Sequence, residues 1–184
     1  MATPNLVNLC RRCWSLPVLA ALHRADAAGM GGARMAVLCH DLSAGQPAVR
    51  LSIDHLIVLG LVARNSGHGH PLRPEYILTR RGAVVAPACA SIDELLVRLR
   101  LREAALRRWS LPALNAISGL GPARFGAIAA RLDGITDRAL SQTLKTLNGA
   151  AVVARAVDDG YPPIPVYSLD RTGKQLAPLV ERLA

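Results

Sequence analysis

Four side chains at helical spacing, Arg138, Ser141, Gln142 and Lys145, carry the most suggestive chemistry in this sequence. They alternate with Leu140, Leu144 and Leu147, so a helix over residues 136–147 buries the leucines and turns the polar groups outward. Arginine can hold guanine O6 and N7 with two hydrogen bonds, glutamine can do the same to adenine, and lysine neutralises a phosphate. Thr136 stands where an N-cap is needed. An ordinary solvated helix face would look the same, so the surrounding elements must separate the two readings.

Other reactive residues form weaker patterns. Cys10-Arg11-Arg12-Cys13 is a C-x-x-C whose arginines would favour a thiolate, and spacing places both cysteines on one helix face with Leu6, Trp14 and Pro17. A role as reduced core residues competes with a redox role for Cys10 and Cys13. Cys39, His40 and Cys89 do not continue the pair at any common zinc spacing, and His68 with His70 lacks further ligands, so neither a metal nor a cofactor is expected. There is no nucleotide-binding glycine loop, no G-x-S-x-G elbow and no evident Ser, His and Asp set, so the sequence reads as a non-enzyme.

The apolar fraction of 51% is ample for folded cores, and the net charge of +9 suggests a polyanionic partner without choosing between nucleic acid and an anionic membrane surface. The longest run without a charged residue or histidine, Trp109 to Ala123, is broken by Pro and Gly and is shorter than the ~20 residues of a membrane span. With four cysteines in apolar surroundings and no disulfide framework, a cytoplasmic location and no membrane association are expected.

Trp14-Ser15-Leu16-Pro17 recurs as Trp109-Ser110-Leu111-Pro112. A shift of 91 aligns residues 62–87 with 153–178, with 12 of 26 positions identical. A period that long is a small domain rather than a solenoid repeat. The expectation is two domains, 1–90 and 91–184. In the second, Ser91-Ile92-Asp93-Glu94 has capping-box spacing and opens an arginine-rich linking helix over 91–108. Ser110 caps the next helix, a third runs from Ala123 to Leu132, and Thr136 opens the fourth. Strands over Ala151–Val157 and Val166–Leu169 follow, then a last helix from about Thr172. Helix, turn, capped helix and hairpin is the order of a winged helix-turn-helix. The fold class is therefore mainly α with small β-hairpin wings, as two tandem winged helix-turn-helix domains.

The second copy resembles the HxlR-type winged-helix transcription regulators through Arg108-Trp109-Ser110-Leu111-Pro112-Ala113-Leu114, Ala123-Arg124-Phe125, Gly134-Ile135-Thr136, Leu140-Ser141-Gln142, Leu144, Leu147, Pro162-Pro163, Val166-Tyr167-Ser168-Leu169 and Gly173. The first copy resembles them more loosely. The resemblance implies a DNA-binding regulator, a repressor by expectation, with the helix over 136–147 in the major groove and the wing along the backbone. Some such regulators sense oxidants through a first-helix cysteine, usually further upstream of the tryptophan than Cys10 or Cys13. Family members usually pair two single-domain chains, whereas here two copies are fused.

Double-stranded DNA is therefore the expected partner, with a homodimer and a small-molecule or oxidant effector as further candidates. Arg124, Thr136, Arg138, Ser141, Gln142, Lys145 and Arg155 form the expected DNA-binding set in the second copy, and Arg50, His55 and Arg73 in the first. The first recognition helix, Pro47 to Leu59, is apolar almost all round, which predicts burial on more than one side. That composition favours the alternative function, a winged-helix pseudo-dimer that binds a protein or small molecule without specific DNA binding.

Overall fold

Ser15 to Ala27 is apolar around most of its circumference, and a helix of that composition has to be enclosed on several sides. In the computed structural model, which describes residues 6–65, 74–158 and 163–184, this helix is the core of one unit, with Leu16, Val18, Leu19, Ala20 and Leu22 fully buried. The chain divides into two compact units, Met1–Leu95 with Leu183, and Leu96–Arg182 with Ala184.

The first unit runs α1 (Leu6–Leu9), α2 (Ser15–Ala27), β1 (Ala33–Arg34), α3 (Met35–Leu42), α4 (Gln46–Val58), β2 (Val62–Asn65) and β3 (Glu75–Leu78). Helix α5 (Arg80–Arg98) follows and runs past the boundary between the units. The second unit repeats the order with α6 (Arg102–Ala105), α7 (Ser110–Leu120), β4 (Ala123–Arg124), α8 (Phe125–Ala129), α9 (Asp137–Gly149), β5 (Val153–Asp158), β6 (Ile164–Leu169) and α10 (Arg171–Glu181). Each unit holds a three-stranded antiparallel sheet in which the later hairpin strand is central, in the orders β1-β3-β2 and β4-β6-β5. A two-residue strand ahead of a helix-turn-helix, closed by a hairpin, is the architecture of a winged helix-turn-helix. The molecule is mainly helical with small antiparallel sheets.

One packing detail occurs in both units. A Cβ on Gly82 would collide with the Leu61 carbonyl oxygen, and a Cβ on Gly173 with that of Val152. The same carbonyls accept the backbone N–H of Thr79 and of Asp170, at 3.0 and 3.1 Å. Only glycine lets the helix after the hairpin approach the strand entrance this closely.

The structure departs from the sequence-based expectations in several places. No helix begins at Ser91. One helix runs from Arg80 to Arg98, and Ser91 Oγ donates back to the Pro87 carbonyl at 3.1 Å instead of capping. Burial of Val85, Ala86, Cys89, Ile92 and Leu96 along one face holds the segment helical. The linking segment breaks at Arg100, which takes a left-handed φ of 56°, before the short α6. Ser110 is not a cap either: Trp109 occupies that position, and Ser110 Oγ donates to the Ala104 carbonyl at 2.6 Å. Ala123–Arg124 is a strand rather than the start of the third helix, because its backbone pairs with Tyr167 and Val166.

Candidate nucleic-acid interface

Helix α9 is set by a clean division of side chains. Leu140, Leu144 and Leu147 are buried, and each such leucine contributes roughly 2 kcal/mol through removal from water. Thr136 Oγ1 accepts the Ala139 N–H at 3.2 Å and starts the helix. The turn before it uses Gly134 at a φ of 77°, a conformation that glycine adopts without steric cost. At the other end Asn148 Nδ2 donates to the Val153 carbonyl at 2.9 Å, which ties the helix to the first wing strand.

Arg138, Ser141, Gln142 and Lys145 are all exposed. The structure therefore brings four of the expected residues onto one face of one helix, with bidentate, hydroxyl and cationic donors side by side. Arg155 is exposed on β5 and lies opposite Tyr167, while Arg124 is exposed on β4 opposite Val166. Residues 159–162, which include the expected wing prolines' start at Pro162, lie outside the described residues. Two exposed cations escaped the sequence reading. Arg131 stands in the turn before α9, and Arg64 is the first-unit counterpart of Arg155. The repeat itself pairs Arg64 with Arg155 and was the available signal.

The first unit presents a different surface on the same frame. Arg50 is exposed on α4, but the positions of Gln142 and Lys145 are held by Leu51 and Asp54. His55 is half-buried and donates from Nε2 to the Asn8 carbonyl at 2.7 Å, which ties α4 to the turn end of α1. Arg34 Nε donates to Glu75 Oε1 at 3.2 Å, across the strand pair. Between Ala33 and Val58 two arginines are balanced by two aspartates, while between Ala123 and Gly149 four cations outnumber two aspartates. The expected burial of α4 on more than one side is not what the structure shows. Val49, Ile53 and Leu56 face the core, while Leu51 is 51% and Val58 84% exposed. Arg73, His68 and His70 lie outside the described residues.

The C-x-x-C is not on one helix face. Helix α1 ends at Leu9, and the turn that follows sends Cys10 inward and Cys13 outward. Burial pushes the Cys10 thiol up to about 12, the opposite of a thiolate favoured by its arginine neighbours. Cys89 is buried as well and is shifted upward, first by desolvation and then by Cys10 and Asp93. Among the described residues no group of His, Cys, Asp and Glu could hold a metal. No described helix is long and apolar enough to cross a membrane.

Against known proteins, residues 106–184 match the HxlR-like helix-turn-helix family, so the matched stretch spans α7 to α10 and contains the whole of the polar α9 face. No curated protein matches the chain. Among solved structures, a MarR-family transcriptional regulator from Enterococcus faecalis V583 shares 27% identity, over 50% of this chain and 78% of that one, at a TM-score of 0.42. A MarR-family regulator from Porphyromonas gingivalis W83 shares 22% over 47% and 83%, at 0.41. The diamide-treated YodB of B. subtilis shares 25% over 53% and 86%, at 0.39. The fold follows from element order and strand register.

Proposed function

We propose that this protein is a DNA-binding transcription regulator whose second unit reads duplex DNA, with α9 in the major groove and the β5–β6 wing along the backbone. The observation that carries the reading is the outward face of α9, where Arg138, Ser141, Gln142 and Lys145 are exposed within the segment that matches an HxlR-like helix-turn-helix. Arg138 and Gln142 are the base-reading groups. Ser141, Lys145, Arg124 and Arg155 hold phosphates, and Thr136 starts the helix at the groove. The chain is a tandem of two winged helices, supported by the shared sheet order and by the glycine that each unit needs at the same corner. Repression is carried over from the family resemblance.

The alternative, a binding module without specific DNA recognition, is favoured by one observation, the apolar outer face of α4 within a stretch, residues 33–58, where two arginines meet two aspartates. It applies to that unit and leaves the second as the reader. An oxidant effector would meet the exposed Cys13 before the half-buried Cys39, and not the enclosed Cys10. Selection of binding sites from random duplexes by the purified protein tests the proposal. A site whose affinity falls on replacing Arg138 or Gln142 supports it, and equal binding of all duplexes at every salt concentration overturns it.

A further inference from the structure

Helix α4 of the first unit carries an apolar ridge that its counterpart lacks. Pro47, Leu51 and Val58 lie at spacings of four and seven residues, on one side of the helix away from the buried Val49, Ile53 and Leu56. Leu51 and Val58 are 51% and 84% exposed. The matching positions of α9 are Arg138, Gln142 and Gly149. Beside the ridge, one turn apart on its outer flank, stand Arg50 and Asp54, both exposed, and Ile57 continues the flank. The other flank is closed by His55 bonded to Asn8.

We infer that this face of α4 binds the same face of a second copy of the chain, so that the first unit is a dimerisation module rather than a second reader. The case is one of self-complementarity. A two-fold axis level with Ser52 sets the helices antiparallel and leaves Leu51 of the two copies about 3 Å apart along the helix direction, close enough to pack. Pro47 then lies level with Ile57 of the second copy and one residue from its Val58. The same operation places Arg50 beside Asp54 of the second copy, and Asp54 beside its Arg50, so the ion pair forms twice and every charge has one partner. Two like-charged flanks would repel instead, and a DNA phosphate would meet Asp54 unpaired. An apolar ridge with one reciprocal ion pair on its rim is the composition of a small isologous contact. The inference does not depend on what the second unit binds, but together with the proposed function it supplies two readers on one particle.

Sedimentation equilibrium of the full chain across a wide concentration range tests it, with circular dichroism to confirm that each variant is folded. The parent should be a reversible dimer. Leu51→Glu should sediment as a monomer. Arg50→Asp and Asp54→Arg should each weaken the dimer by about tenfold or more, because each puts like charges face to face at two places. The double variant Arg50→Asp/Asp54→Arg should recover most of the loss, since the pairs are restored with their signs exchanged. A parent that remains monomeric at high concentration overturns the inference, whatever other molecule then proves to cover the face. So does a double variant no tighter than the weaker single variant. A duplex-binding measurement on folded Leu51→Glu keeps the two readings apart: a single half-site should still be bound, while loss of DNA binding by the parent counts against the proposed function alone.

Discussion

The two units share one backbone plan and differ in what they place on it. Their sheets have the same strand order, and their corner glycines meet equivalent carbonyls. Yet Gln142 and Lys145 of α9 correspond to Leu51 and Asp54 of α4, and Arg131 corresponds to Asp41. The lesson is that the core face and the outer face of a recognition helix are separate designs. Buried leucines and the corner glycine keep the frame, whereas the exposed residues can be replaced at little cost in stability, and so can change chemistry while the fold stays.

The comparison is most sharply tested where the units are alike. Gly173→Ala and Gly82→Ala should each destabilise the unit that carries them by about 3 kcal/mol, since the added methyl must displace a backbone carbonyl. Denaturant titration of each variant measures this. If either substitution leaves the midpoint unchanged, the shared corner is not a tight contact.

Base reading should separate the units next. Arg138→Ala or Gln142→Ala should weaken the cognate site by roughly 1 to 3 kcal/mol and leave random duplex almost untouched, while Arg50→Ala should not alter sequence preference. Fluorescence anisotropy on matched and scrambled duplexes gives the difference. Equal losses from Arg50 and Arg138 would abolish the division of labour.

Smaller in effect, Thr136→Ala should cost about 1 kcal/mol of stability by leaving the Ala139 N–H without its cap. Helix α4, which begins at Gly45 with no side-chain cap, offers no corresponding loss. Thermal unfolding compared with Thr136→Ser, which keeps the hydroxyl, isolates the cap from packing.

The slightest change is expected from making the first unit resemble the second. Measured on a single half-site, because the change also removes the inferred dimer contact, Leu51→Gln with Asp54→Lys should steepen the salt dependence of DNA binding by about one unit in the log–log slope, as one more phosphate contact would. No steepening would mean that the first unit stays away from the duplex whatever it displays.

Much of this molecule was legible from residue order alone. Leucines at helical spacing and a threonine three residues ahead of Ala139 determined α9 and its polar outer face, because each signal acts within a few residues, and the repeat of 91 carried the hairpin of the second copy over to the first. Tertiary structure decided what depends on distant partners. Ser91 lost its cap role because one buried face keeps α5 continuous through it, and Ala123–Arg124 became a strand only because Tyr167 and Val166 arrive beside it. Cys10 and Cys13, three residues apart, part company where α1 ends, and burial then raises one thiol while the other stays in water. The apolar pattern of α4 likewise announced burial that the first unit does not supply. Composition states how much surface a helix would gain by covering, and only the folded neighbourhood decides whether this chain covers it or leaves it for another molecule.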